Sequence, residues 1–188
     1  MKKTIITIAG KPGSGKSTTS KKIASELNYK HFSSGDLYRE IAKERQISIN
    51  EINTLAESEK SIDHRVDDKL KEIGEEGKDL VIDSRMAWHW MPNSFRVYLD
   101  LDLDNAAKRI INNSDPERLL VENITEDPIE YAKLLQERLD SEIRRYYDLY
   151  KANPYDTTNY DLVVDTLKHN PDQVKSLIIE EYKKWLGK

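Results

Sequence analysis

The residues with the clearest chemical potential lie just after an apolar run near the start of the chain. Residues 10–17 read Gly-Lys-Pro-Gly-Ser-Gly-Lys-Ser and follow the run Thr-Ile-Ile-Thr-Ile-Ala of residues 4–9. They fit G-x-x-x-x-G-K-[ST] between a predicted strand and a predicted helix, the context in which this pattern binds phosphate. Glycines let successive backbone N–H groups approach an anion that side chains would block. The pattern therefore predicts a phosphate-binding loop; the alternative is a tight turn that only caps the helix.

The positions of this loop have distinct predicted roles towards ATP and Mg²⁺. Lys16 is expected to span the β- and γ-phosphates, and the Ser17 hydroxyl to take a place on the metal ion. The N-terminus of the helix that follows adds its dipole and its free donors. The residues predicted to bind the nucleotide phosphates are Gly10, Lys11, Pro12, Gly13, Ser14, Gly15, Lys16, Ser17 and Thr18.

A carboxylate for the same metal ion is predicted near the end of another apolar run, residues 79–84. Asp83 ends this run, where a buried carboxylate is unfavourable unless it is paired or bound to a hydrated metal. We expect Asp83 to hold Mg²⁺ through water, with Arg85 at the edge of the cleft. The alternative is a strand-end aspartate that caps the next turn.

Residues 32–40, Phe-Ser-Ser-Gly-Asp-Leu-Tyr-Arg-Glu, predict an acceptor site. They follow the second predicted strand, at the carboxyl edge where ligands bind in such sheets. Arg39 comes one helical turn after Asp36, so both side chains can face one cleft. The alternative is an ordinary helix start with Ser34 as the N-cap and Asp36 favouring the dipole.

Arginines are grouped in the long stretch 104–155, which contains Arg109, Arg138, Arg144 and Arg145. Helical spacing puts Arg138 and Arg145 on one face with Glu142 between them. As a group they favour a lid that closes over phosphates. For any single arginine the alternative is a solvated helix with ion pairs, such as Glu137 and Asp140 with Arg144.

The elements that must position these residues follow from apolar patterning. Continuous runs rich in β-branched or aromatic residues predict strands buried on both faces of a parallel sheet, at 4–9, 29–33, 79–84, 95–101 and 160–165. Helical patterns lie between the runs, so we predict an α/β fold of the P-loop type, a five-stranded parallel sheet with helices on both faces. Predicted helices include 48–59 and 61–76 with Ser48 and Ser61 as N-caps, one starting near Asn105, one from Pro128 to Tyr150, and one from Pro171 to near Trp185.

The chain of 188 residues fits one domain. We expect a core of residues 1–35, 77–104 and 156–188, a flap at about 36–76 that binds an acceptor, and a lid at about 105–155.

Composition excludes several classes of protein. There is no cysteine, which removes disulfides, thiolate metal sites and cysteine catalysis. The net charge of −4 gives no bias towards nucleic acid or membrane surfaces, and no run approaches the length of a membrane span. The chain lacks the Asn-Lys-x-Asp stretch typical of a GTPase. We expect a monomeric, cytoplasmic protein whose partners are nucleotides.

Taken together, the quoted motifs, with Gln-Glu-Arg-Leu-Asp-Ser-Glu-Ile-Arg-Arg at 136–145, resemble the cytidylate kinase family, in particular its short, archaeal-type branch and bacterial relatives. The resemblance covers nearly the whole chain and is weakest in the lid. It implies transfer of phosphoryl from ATP to (d)CMP, giving ADP and (d)CDP. The resemblance also implies roles for single residues. It implies that Arg39 and Arg85 bind the acceptor phosphate, and that Ser33, Ser34 and Asp36 lie where the flap meets the acceptor. The lid arginines near the transferring group would be Arg109, Arg138 and Arg145.

The chain departs from the family pattern at two places. Ser84 stands where the family commonly has glycine, and Trp88 and Trp90 flank His89 in an unusual aromatic stretch. We expect the tryptophans to pack against the flap and His89 to be structural. Two other functions stay open, namely an adenylate or other small-molecule kinase on the same fold, and a regulator that binds ATP without turning it over.

Overall fold

The computed structural model describes residues 3–114, 119 and 124–187. Its strands are β1 (Ile5–Gly10), β2 (Lys30–Ser33), β3 (Leu80–Asp83), β4 (Phe95–Asp100) and β5 (Leu162–Asp165). They form one sheet in the order β2-β3-β1-β4-β5, and every pairing is parallel. Each bound lies within two residues of its predicted position, so the predicted α/β class and parallel sheet are confirmed.

Helices connect the strands. Those in the described part of the chain are α1 (Lys16–Leu27), α2 (Ser34–Glu44), α3 (Ile49–Ser58), α4 (Ser61–Glu76), α5 (Ala87–Trp90), α6 (Leu103–Asn113), α7 (Pro128–Tyr150) and α8 (Pro171–Leu186). The predicted bounds of α7 are confirmed, and the short helix α5 was not predicted from the sequence. Within the described ranges, no helix combines the length and apolarity needed to cross a membrane.

The predicted N-caps have different outcomes. Ser48 caps α3 by accepting a hydrogen bond from the Glu51 N–H, while the Glu51 carboxylate accepts one from the Ser48 N–H. The prediction of Ser61 as an N-cap is wrong, because the residue before it, Lys60, already has helical backbone angles. The Ser61 hydroxyl instead donates to Glu59.

The position of β1 in the middle of the sheet explains why its residues are mostly apolar and do not alternate with polar ones. Ile6 and Ile8 pack towards α1 and α8 on one face of the sheet, while Ile5 packs towards α2, α3 and α4 on the other. All three side chains are fully buried. Burial on both faces is the condition under which a parallel strand reads as a continuous apolar run.

Parallel strand order brings three of the predicted site segments to one edge of the sheet. The carboxyl ends of β1, β2 and β3 lead respectively into the glycine loop, the start of α2 and the residues after Asp83. The three helices α2 to α4 lie between β2 and β3 in the chain, and α7 lies between β4 and β5. The division into core, flap and lid stays a prediction, and the lid segments 115–118 and 120–123 lie outside the described residues.

Gly10, the last residue of β1, is enclosed by the neighbouring strand. A Cβ atom at this position would lie 2.3 Å from the carbonyl oxygen of Leu99 and 2.9 Å from the Ser14 hydroxyl. Its φ of +148° is also unfavourable for other residues. Glycine is therefore required for the chain to leave the sheet beside β4.

A buried carboxylate links three helices on one side of the sheet. Asp67 of α4 is 2% exposed and accepts hydrogen bonds from the Trp90 indole N–H at 3.1 Å and from the Tyr150 hydroxyl at 2.6 Å. Burial raises the pKa of Asp67 to about 6, despite these two donors. The contact joins α4, α5 and the C-terminal end of α7.

We predict that Gly10→Ala lowers the free energy of unfolding by about 3 kcal/mol, because the added methyl group overlaps the backbone of β4. Urea unfolding followed by circular dichroism measures this change. Gly35→Ala is the matched control, since a Cβ atom there meets nothing closer than 3.6 Å and the position is helical. A loss at Gly35 as large as that at Gly10 would contradict the reasoning.

We predict a pH-dependent effect of Asp67→Asn. The folded state holds the Asp67 proton more tightly than the unfolded state, so its contribution to stability is present below pH 3.8 and is lost as the pH rises through about 6. The free energy of unfolding of the wild type, relative to Asp67→Asn, should therefore fall by about 2 to 3 kcal/mol over this range.

Urea unfolding at several pH values tests this prediction. Asp68→Asn, an exposed carboxylate on the same helix, should show no such fall. A constant difference between the wild type and Asp67→Asn at every pH would be inconsistent with the raised pKa.

Candidate active site

A cavity of about 630 Å³ opens at the carboxyl edge of the sheet. It extends from the glycine loop to the start of α2 and to the end of β5. The predicted site residues that line it are Pro12, Gly13, Ser14, Gly15, Lys16, Ser17, Thr18, Ser34, Arg39, Asp83, Arg85, Arg109 and Arg138. Four other predicted site residues, Gly10, Lys11, Asp36 and Arg145, are not among its lining residues.

The glycine loop wraps back on itself around the carbonyl oxygen of Lys11. This oxygen accepts hydrogen bonds from the Lys16 ammonium group and the Ser14 hydroxyl, both at 2.8 Å. Burial and the nearby Arg85 guanidinium lower the pKa of Lys16 to about 8. An anion in the cavity would favour the charged lysine, so the loop has the electrostatic character of a phosphate site.

Ser17 and Asp83 meet at the base of the cavity. The Ser17 hydroxyl donates a hydrogen bond of 2.5 Å to Asp83 Oδ2. Asp83 is 5% exposed and ends β3, next to the final residue of β2 in the register of the sheet. Two hard oxygen atoms are therefore adjacent where the sequence predicts Mg²⁺, although the described residues contain no group of three or more acidic or histidine side chains arranged to hold a metal.

The start of α2 supplies an arginine to the opposite side of the cavity. Its N-cap is Ser33, whose hydroxyl accepts from the Asp36 N–H, so Ser34 is the first helical residue and not the cap. The Asp36 carboxylate accepts a hydrogen bond from Arg39. Both side chains are about half exposed, at 51% for Arg39 and 56% for Asp36, so the arginine is accessible to a ligand.

A buried carboxylate of α7 joins two cavity arginines. Glu142 Oε2 lies 2.6 Å from Arg85 Nε, and Glu142 Oε1 accepts from Arg138 Nε at 3.1 Å. The Tyr155 hydroxyl donates to the same carboxylate and accepts from Arg85. Burial would raise the pKa of Glu142, but Arg85 and Arg138 outweigh it and lower the pKa to about 2. Both arginines are thus held beside an ionised group.

Arg109 reaches the cavity from α6 at the opposite end of the sheet. Its guanidinium donates to the carbonyl oxygen of Thr166 at 2.7 Å and to the hydroxyl of Thr166 at 3.2 Å. Thr166 comes directly after β5 and also lines the cavity.

Arg145 points away from the cavity in this structure. Its Nε lies 3.1 Å from Asp63 Oδ2 on α4, and its Nη1 donates to the carbonyl oxygen of Asn53 on α3. The side chain of Arg145 is only 6% exposed. It therefore joins α7 to the helices between β2 and β3, and its predicted part in catalysis stays a prediction.

The ion pair of Arg144 on the exposed face of α7 differs from those that helical spacing suggested. Arg144 lies 3.8 Å from Glu57 of α3, in place of the pairs with Glu137 and Asp140 that the helical spacing suggested. Asp140 instead accepts a hydrogen bond from Gln136. The nearest acidic group is on another helix because α7 packs against α3 along this face.

The aromatic stretch after Arg85 is structural in this fold. Trp88 is 9% exposed and packs with Tyr160, while His89 lies between Trp88 and Trp90 in edge-on contacts. None of the three lines the cavity. Ser84 does, and its hydroxyl accepts from the Met86 N–H, a bond that a glycine at this position would lack.

Three side chains of this site were not predicted from the sequence as functional residues: Glu142, Tyr155 and Thr166. A signal was available for Thr166, since it follows a strand whose carboxyl end reaches the same edge as the glycine loop. Glu142 lies one helical turn after Arg138. Its ion pair with Arg85 depends on where α7 lies relative to the segment after β3, which no local pattern indicates.

The sequence is similar to known kinases over most of its length. The model of the cytidylate kinase-like family matches residues 5–168. A cytidylate kinase of Haloarcula marismortui is 38% identical, over 93% of this chain and 87% of the relative. A cytidylate kinase of Natronomonas pharaonis is 36% identical, over 93% of this chain and 86% of the relative.

Solved structures support the fold independently. A shikimate kinase from Bacteroides thetaiotaomicron superposes with a TM-score of 0.62, covering 98% of both chains at 16% identity. This likeness concerns the fold, a parallel sheet with helices on both faces. Together with the family match and the glycine loop, it leads to one conclusion: the chain is an ATP-dependent phosphotransferase that belongs to the cytidylate kinase-like family.

Proposed function

We propose that this protein transfers the γ-phosphoryl group of ATP to CMP or dCMP, giving ADP and CDP or dCDP. The observation that carries the proposal is the continuous cavity between the glycine loop and the arginines Arg39 and Arg85. A phosphate-binding loop on one side and two accessible cations on the other suit two phosphate-bearing substrates held face to face. The cytidylate kinases among the relatives support cytidylate as the acceptor.

In this proposal, the ATP phosphates lie in the glycine loop. Residues 13–18, which include the N-terminus of α1, line the cavity, and Lys16 would exchange its bond to the Lys11 carbonyl for the β- and γ-phosphates. Arg109, beside Thr166, lies at the far end of the cavity, where it would contact the rest of the nucleotide.

Ser17 and Asp83 fit an Mg²⁺ ion by their chemistry. Magnesium prefers oxygen ligands, and it commonly takes one or two protein groups together with water and substrate phosphates. The Ser17 hydroxyl and the Asp83 carboxylate, whose Oγ and Oδ2 atoms are 2.5 Å apart, would provide such a pair. When bound there, the ion would neutralise charge on the β- and γ-phosphates.

The acceptor is proposed to lie between α2 and the end of β3. Arg39 and Arg85 would bind its phosphate, with Ser34 and Asp36 at the edge of the site. Arg39 would exchange its bond to the Asp36 carboxylate for the phosphate of the acceptor. Arg138, across the cavity from the glycine loop, is aimed at the group in transfer.

The reaction then needs positioning and charge more than a base. An oxygen of the acceptor phosphate forms a bond to the γ-phosphorus, and the bond from that phosphorus to the β–γ bridging oxygen breaks. The electron pair stays on the β-phosphate of ADP. Lys16 and Arg138 compensate the negative charge on the equatorial and leaving oxygens, and each such contact is worth a factor of about 10² to 10³ in rate.

The helices between β2 and β3, together with α6 and α7, are proposed to form the acceptor flap and the lid. Arg145 ties α7 to α3 and α4, so these helices would move towards the glycine loop as one unit. Closure would exclude water from the transferring group.

Separate incubation of the protein with Mg·ATP and each nucleoside monophosphate, followed by measurement of ADP, tests the proposal. We expect the greatest turnover with CMP or dCMP. Lys16→Ala should keep the fold and lose turnover by at least about 100-fold, because the lysine lies at the cavity. Preference for AMP would favour an adenylate kinase, and ATP binding without turnover for any acceptor would favour a regulator.

We predict that Arg39→Ala raises the KM of the acceptor by about 10- to 100-fold and changes the KM of ATP by less than about threefold. The expected loss corresponds to one charge-assisted contact of about 1.5 to 3 kcal/mol. Steady-state kinetics with each substrate varied in turn measures both constants. Arg45→Ala, on an exposed arginine paired with Glu59 just after α2, is the control and should leave both constants unchanged. Equal losses for ATP and acceptor in Arg39→Ala would refute the assignment.

A further inference from the structure

Glu142 lies behind the wall of the cavity and has no part in the mechanism above. Its side chain is 3% exposed, and it is not among the residues that line the cavity, whereas Arg85 and Arg138 are. It contacts each arginine at Nε, the guanidinium nitrogen nearest the backbone. Within the part of the chain that the structure describes, neither arginine donates a hydrogen bond from its terminal nitrogens to another residue.

We propose that Glu142 is a positioning residue, a buried carboxylate that clamps Arg85 and Arg138 by their Nε atoms and thereby aims their terminal nitrogens at the phosphates. The inference rests on the proposed function for the identity of those phosphates. It concerns a residue that acts through two others and does not touch the substrates.

Electrostatics explains why a clamp is needed at this place. Two guanidinium groups with Lys16 nearby repel one another, and burial of each cation is unfavourable without a partner. One carboxylate between Arg85 and Arg138 reduces their joint charge from +2 to +1, so an attraction for phosphate remains. An arginine that is held at Nε keeps the N–H donors of its two terminal nitrogens for a second anion.

Tyr155 makes the clamp rigid. Its hydroxyl donates to Glu142 and accepts from Arg85 Nε, so it bridges the carboxylate and the guanidinium. Burial raises the pKa of Tyr155, and the paired arginines lower that of Glu142 to about 2. The clamp therefore keeps its charges throughout the pH range in which the enzyme can be assayed.

Glu142→Gln and Glu142→Asp separate charge from shape. Glutamine keeps the shape, but its NH₂ group meets an arginine N–H, so one guanidinium loses its partner. We expect kcat to fall about 100-fold, the effect of misplacing a catalytic group by about 1 Å, and the KM of ATP to change less than about threefold. Aspartate keeps the charge and should retain at least about tenfold more activity than glutamine. Greater activity for glutamine than for aspartate would show that only shape matters and would overturn the proposal.

A double-mutant cycle tests whether Glu142 acts through Arg138. The loss in kcat from Glu142→Gln should be at least about tenfold smaller in an Arg138→Ala background than in the wild type, since half of the clamp is already absent. Equal losses in both backgrounds would mean that Glu142 acts on something else, and the proposal would fail.

A readout without turnover keeps this proposal separate from the proposed function. In ¹H–¹⁵N NMR spectra, the Nε–H groups of Arg85 and Arg138, assigned from Arg85→Lys and Arg138→Lys, should give two slowly exchanging signals. Glu142→Gln should abolish or shift at least one of them, and the control Glu57→Gln, an exposed partner of α7, should change neither.

Both slowly exchanging signals could be present and respond to Glu142→Gln while the wild type phosphorylates no nucleoside monophosphate. That result would refute the proposed function and support the clamp. If the signals are absent, or if Glu142→Gln leaves both unchanged, the clamp is wrong whatever the turnover.

Discussion

Repulsion between cations gathered around one open cavity is the constraint on which the rest of this structure depends. Lys16, Arg39, Arg85 and Arg138 face a space suited to phosphate, and water alone screens them poorly where they are partly buried. Each is held by an oxygen atom of the protein: the Lys11 carbonyl, the Asp36 carboxylate or the Glu142 carboxylate. Burial and the nearby Arg85 guanidinium lower the pKa of Lys16 to about 8, so an anion in the cavity would favour its charged form. A cavity with uncompensated positive charge is one that binds anions.

The long helix α7 connects this charge balance to the rest of the fold. Because a helix turns once every 3.6 residues, Arg138 and Glu142 lie together near the cavity. Arg145 lies two turns further along nearly the same face and there contacts Asp63 on α4. At the end of the helix, Tyr150 reaches Asp67, one turn further along α4. The side chains that contact the cavity arginines and those that contact α4 are thus carried by one helix.

Sequence patterns predicted the glycine loop and the strands, because the conformation of each depends mainly on its own residues. The glycine loop is dictated by the geometry of anion binding and by the contact of Gly10 with Leu99, and the strands are dictated by burial on both faces of the sheet. The site could be predicted where strand ends lead into it, as for Asp83, and where arginines are grouped, as for Arg109 and Arg138. The direction of Arg145 and the contact of Glu142 with Arg85 depend on where α7 lies relative to α4 and to the segment after β3. Helical spacing alone placed Arg138 and Arg145 on one face. The wrong cap at Ser61 has a similar cause, because Lys60 extends the helical backbone by one residue.

Buried ionised groups seldom add to stability, because their desolvation offsets their mutual attraction. The helices of this fold nevertheless bury Asp63, Asp67 and Glu142. Apolar residues of similar size would pack these helices at least as well, so packing gives no reason for three carboxylates. The carboxylates instead orient other side chains, since each contacts an arginine, an indole N–H or a tyrosine hydroxyl. Such fixed orientations are what a site needs when its rate depends on the placement of charge around a transferred group.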